Sequence, residues 1–176
     1  MAKINIKDAV AHDRTLVYET FRDNLKELVP YLPNIESITV EKRDQANENT
    51  VKVVNLWKAK GEEVPAMAQA FIKPEMLQWH DHATWHDDSH SCEWVMQVGF
   101  LREAISCKGT TTYLDKGGKT EIVMDGELKV DASKIPGVPR IVAGRVGDAV
   151  EKFVVRLITP NLTQVNRGVE QYLVKK

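Results

Sequence analysis

The sequence predicts an α+β domain in which a curved antiparallel β-sheet wraps around a long C-terminal α-helix. Three observations carry this expectation. From Glu36 to Val130 apolar and polar residues alternate with a period of two, broken by turn residues at regular intervals. Beyond Pro139 the apolar spacing becomes helical and stays so to the C-terminus. Gly109 and Gly126 sit inside strand patterns, where a missing side chain lets a sheet bulge or bend.

The elements follow in order. Ile4, Ile6 and Val10 fall on one side of a first strand over Lys3 to Val10. Asp13 offers an N-cap to a helix from Arg14 to Leu28, whose apolar stripe is Leu16, Val17, Phe21, Leu25 and Leu28, and Pro30 and Pro33 end it. Ile38 and Val40 lead into a turn over Asp44 to Asn49, after which Val51, Val53, Asn55 and Trp57 share a face. Further strands are expected over Met76 to His86, Cys92 to Val98, Ala104 to Leu114 and Thr120 to Val130, with a hairpin turn at Asp115-Lys-Gly-Gly118. The last strand alternates most cleanly, with Ile122, Met124, Gly126, Leu128 and Val130 against Val123, Asp125, Glu127 and Lys129, so one face is buried and one wet. The terminal helix carries Val146, Val150, Val154, Leu157, Leu162, Val165, Val169 and Leu173 near one face, and Pro160 is expected to kink it or to start a second segment capped by Thr159.

Length and charge narrow the function. At 176 residues the chain suits one domain, residues 1–176, with a substantial core. The net charge of −1, with both signs scattered, draws no basic footprint, so nucleic acid is not an expected partner. The N-terminal residues lack an apolar signal core, and nowhere do about eighteen apolar residues run together, so a cytoplasmic protein with no integral membrane segment is expected. Cys92 and Cys107 lack metal-ligand spacing and an extracellular context, and reduced thiols are expected.

The order of elements, and above all the segment Asp13 to Arg43 with its capped helix, its Pro-Tyr-Leu-Pro-Asn-Ile exit and a strand ending in Glu-Lys-Arg, resembles the START-like superfamily, also called SRPBCC or polyketide cyclase-like. The resemblance covers nearly the whole chain and implies a helix-grip fold with a cavity between the concave sheet and the C-terminal helix. It implies a small hydrophobic or amphipathic ligand, lipid-like or polyketide-like. It brings no universal catalytic motif, because the fold hosts carriers, sensors and cyclases alike.

Pockets of this kind are apolar walls with few polar anchors. Trp57, Trp79, Trp85, Trp94 and Tyr113 lie on predicted strands, with Met96 and Met124 as adaptable apolar surface and Val154 and Leu157 facing them from the helix. If Trp79 and Trp85 point inward, strand parity sends Asp81 inward too, where a carboxyl among indoles needs a partner or a raised pKa. Asn55 and Thr111 are further candidate anchors. Each aromatic has a plainer role as core filling.

The stretch Trp79 to His90 holds four of the five histidines: His80, His82, His86 and His90. Their spacing matches no metal motif, and with the tryptophans inward the strand histidines face out, so no metal or other cofactor is assigned. Gly117-Gly-Lys-Thr120 ends like a phosphate loop but lies in a hairpin and is set aside. Residues 62–72 offer an apolar-faced lid or plug, and Asn161-Leu-Thr163 a sequon that reads as helix. The leading function is therefore a binding module, a carrier or sensor. Its rivals are a cyclase or aromatase using Asp81 or Tyr113, and an interaction protein with a filled core. A homodimer stays open.

Overall fold

In the computed structural model, residues 1–60, 77–135 and 137–176 are described, without the side chains of residues 100, 150, 153, 154 and 156–161. The expected lid at 62–72 and the side chains of Val154 and Leu157 thus lie outside the described residues. The chain runs β1 (Ala2–Val10), α1 (Arg14–Asp23), a 3₁₀ segment (Leu25–Tyr31), β2 (Ile35–Asn47), β3 (Thr50–Ala59), β4 (Gln78–His86), β5 (Ser91–Gln97), β6 (Ile105–Asp115), β7 (Thr120–Val130) and α2 (Ala143–Val174).

The seven strands form one antiparallel sheet in the order β1-β7-β6-β5-β4-β3-β2. It is open, since β1 and β2 are its two edges. The β6–β7 hairpin turns where expected, with Gly117 and Gly118 at φ of 69° and 85°, backbone that glycine adopts without strain. The turn expected over Asp44 to Asn49 is shorter: β2 runs on to Asn47 and β3 restarts at Thr50. Three register shifts along β2 bend this edge strand.

Asp13 caps α1 as its position suggests, accepting from the backbone N–H groups of Thr15 at 2.9 Å and Leu16 at 3.2 Å. Asp13→Ala is expected to cost about 1 kcal/mol in urea denaturation, and an unchanged midpoint would show that the cap is idle. The α-helix ends at Asp23, not Leu28, and the apolar stripe continues through a 3₁₀ segment that buries Leu25 and Leu28. Leu16, expected on the stripe, is 42% exposed, and Tyr18 takes the buried place beside Val17.

The C-terminal helix is one element from Ala143 to Val174 that runs through Pro160, so the two-segment reading is corrected. It packs mainly against β1, β7 and the 3₁₀ segment. Val169 and Leu173 are buried there. Polar tethers fix the seat: Glu151 accepts from the Val130 backbone N–H at 2.8 Å, and Asp8 accepts from Asn166 at 2.9 Å and Arg167 at 2.8 Å. Burial alone would raise the Asp8 carboxyl, but these donors and the Arg167 charge hold it below its usual value.

Candidate functional site

Antiparallel register places inward residues in rows across the sheet. One row reads Asn55, Asp81, Met96, Cys107, Leu128 and Ala2 from β3 to β1. On one side of it Trp57 pairs with Trp79, and on the other Val53, Ala83, Trp94, Gly109, Gly126 and Ile4 align. A further row holds Val51, Trp85, Cys92, Thr111, Met124 and Ile6. The ten strand residues named from the sequence therefore share the inner face, because no bulge interrupts β3 to β7 and parity carries from one strand to the next.

Nine of them divide into three groups, and Met124 stands across from Thr111 on β7. Asn55, Trp57, Trp79, Asp81 and Met96 cluster on β3, β4 and β5, away from the described seat of α2. The indoles of Trp57 and Trp79 stack with centroids 5.6 Å apart and planes 16° from parallel. Asn55 is buried, whereas Trp79, Asp81 and Met96 are only half-buried. Surrounding protein nevertheless strips the Asp81 carboxyl of much of its hydration and pushes its pKa up to about 6, only partly offset by Asn55 and Trp57. The buried Trp57 indole N–H makes no hydrogen bond of normal geometry, so its help to Asp81 is that of a nearby dipole.

The second group is built around the bend. Trp94 donates to Thr111 Oγ1 at 3.1 Å, and its ring covers Gly109 and Gly126. Thr111 is thus committed to Trp94. The third group is an aromatic cluster under α1, where Tyr18 meets Trp85 at 5.4 Å and Tyr113 at 5.5 Å, and Phe21 meets Tyr113 at 5.6 Å. The Tyr18 hydroxyl donates to Asp87 at 2.9 Å, and Arg22 binds the same carboxylate at 2.5 Å. Burial first, and then the Asp87 carboxylate, raises the Tyr18 hydroxyl. The Trp85 indole N–H is buried without a partner.

Two inner-face residues escaped the sequence reading. Cys107 stands beside Met96 with its Sγ 4.0 Å from the Met96 Sδ, and Cys92 lies in the row of Trp85 and Thr111. Strand parity could have found both. Desolvation raises both thiols, so neither is a thiolate near neutral pH.

The outer face is different in kind. His80 sits 3.1 Å from Glu41 and 6.3 Å, ring to ring, from His82. Among the described residues no group of three His, Cys, Asp or Glu is placed to hold a metal ion. A wide, open depression of about 750 Å³ also lies on this side, bordered by Lys3, His82, Glu93, Lys108 and Glu127. Its rim is laced by Lys3–Glu127 and Lys108–Glu127 ion pairs, and it does not enclose a small molecule. No helix among the described residues is long and apolar enough to cross a membrane.

Residues 14–173 match the family described as protein of unknown function DUF2505, and the chain belongs to it. No curated protein matches the sequence. Among solved structures it is similar to TTHA0849 from Thermus thermophilus, with TM-score 0.65, 18% identity, and 96% of this chain and 97% of that one covered. It is similar to the Zhui aromatase/cyclase from Streptomyces sp. R1128, with TM-score 0.65, 11% identity and coverage of 97% and 92%. A START superfamily protein from Mycobacterium smegmatis aligns with TM-score 0.57, 12% identity and coverage of 98% and 97%. The fold is therefore START-like, a helix-grip with an open sheet.

Proposed function

We propose that this DUF2505 chain binds a small apolar or amphipathic molecule over the β3–β5 half of its inner face. The observation that supports this most is Asp81, a carboxyl desolvated by protein yet half-buried, in a row whose Met96 and neighbouring Trp79 also keep accessible surface. An inner face filled to the density of a protein interior would leave such side chains no surface. Burial of a ligand there supplies roughly 25 cal/mol per Å² of apolar area, and Asn55 and Asp81 orient it. Nile red, a neutral apolar dye, is expected to bind saturably at one site per chain and to be displaced by decanol. Emission that rises without saturation in folded protein would defeat the proposal.

One observation favours a second reading. A carboxyl at about 6 suits a general acid–base group, so an enzyme working through Asp81 is the alternative. Retained binding with lost turnover in Asp81→Asn would favour it.

A further inference from the structure

An ionised carboxylate on the inner face needs a counterion, and the described residues supply none. Among the described residues, what acts on Asp81 is burial and the neutral side chains Asn55 and Trp57. Other ionisable groups on this face, among the described residues, are Cys92, Cys107 and Tyr113, all held neutral by burial. Among the described residues no cation of the neighbouring elements pairs with Asp81, and Arg14 of α1 acts on His90 instead. Arg22 of α1 is spent on Asp23 and Asp87, and Arg167 of α2 on Asp8 and Glu170. Glu151 of α2 is bound to the Val130 backbone and paired with the Met1 ammonium at 2.6 Å, so the N-terminal charge is spent there.

We propose that the ligand is a cationic amphiphile, a protonated or quaternary amine on an apolar body, with its ammonium held between the Asp81 carboxylate and the stacked Trp57–Trp79 pair. This rests on the ligand-binding reading above. An uncompensated charge inside a protein is costly, and a cation brought by the ligand removes that cost while the indole faces attract it. The same charge repels a fatty acid, so the site discriminates within the lipid-like class by sign. The stacked pair is placed for this: Trp79 is two residues from Asp81 on the same strand face, and Trp57 lies directly across from Trp79.

The test is a matched series of one chain length, decyltrimethylammonium, decanol and decanoate, titrated against tryptophan emission at pH 7.5. The wild-type protein is expected to bind the cation at least about tenfold more tightly than decanoate, and more tightly than decanol. In Asp81→Asn the preference for the cation over decanol should vanish while decanol still binds. At pH 4.5, where Asp81 is neutral, the wild-type preference should shrink in the same way. Decanoate binding as well as the cation, or a cation preference that survives Asp81→Asn, overturns the inference and leaves the binding site standing. Failure of all three to bind saturably overturns the ligand-binding reading together with it.

Discussion

Gly109→Ala is expected to destabilise the protein by about 3 kcal/mol or more, measured by urea or thermal unfolding. A Cβ at this position collides with the Asp125 carbonyl oxygen and with the Trp94 ring, and it stands 2.7 Å from the Gly126 Cα. Two of these three obstacles are backbone of the neighbouring strand, which can give way only if β6 and β7 separate. Trimming Trp94 in the same protein is therefore not expected to restore the loss. Gly144 is the contrasting site: it lies in α2 with open space around its would-be Cβ, and Gly144→Ala should be neutral or slightly stabilising. Equal stability of Gly109→Ala and the parent would mean that the sheet does not bend over Trp94 as described.

Asp81→Asn is expected to act in the opposite direction, with a sign set by pH. A carboxyl raised by burial from 3.8 to about 6 keeps its proton in the folded protein after the unfolded chain has released it. Below about pH 4 both states are protonated and the group costs nothing. As pH rises from about 4 to 6 stability falls, and above that range the full cost of the charge is present. That cost is on the order of 2 kcal/mol, with allowance for the solvent that still reaches Asp81. Asparagine keeps the shape without the charge, so Asp81→Asn should gain about that much at pH 7.5 and nothing near pH 4. A variant less stable than the parent at pH 7.5 would show that the carboxylate has a partner after all.

The two results probe features that the sequence made legible to different degrees. Strand parity was readable because β3 to β7 pair without register shifts, so alternation in Thr120 to Val130 and the spacing of Trp79, Asp81 and Trp85 carried over unchanged. Gly109 and Gly126 were readable as a bend, but that one tryptophan covers both depends on register between β5, β6 and β7, which no single segment encodes. The α-helix end at Asp23 was not readable, because a 3₁₀ segment can bury Leu25 and Leu28 with nearly the same apolar spacing. Pro160 suggested a kink or a second segment, and the helix continues through it as one element. Tyr18 was overlooked for a related reason: its ring is buried by Trp85 and Tyr113 and its hydroxyl reaches Asp87, contacts made with residues far along the chain.

The division of the inner face also follows from tertiary contacts. Trp85 and Tyr113 belong to the cluster under α1, and Trp94 with Thr111 to the bend, whereas Asn55, Trp57, Trp79, Asp81 and Met96 form the group proposed to meet a ligand. In physical terms, the aromatics that resemble one another in sequence differ in what the helices cover.

The most direct test is the indole N–H region of a nitrogen-15 spectrum of tryptophan-labelled protein, where the four tryptophans give one signal each. Saturation with decyltrimethylammonium at pH 7.5 should move the Trp57 and Trp79 signals strongly and leave Trp94, bonded to Thr111, nearly in place. A spectrum in which Trp57 and Trp79 stay fixed while the ligand is bound would contradict a binding site on the β3–β5 half of the inner face.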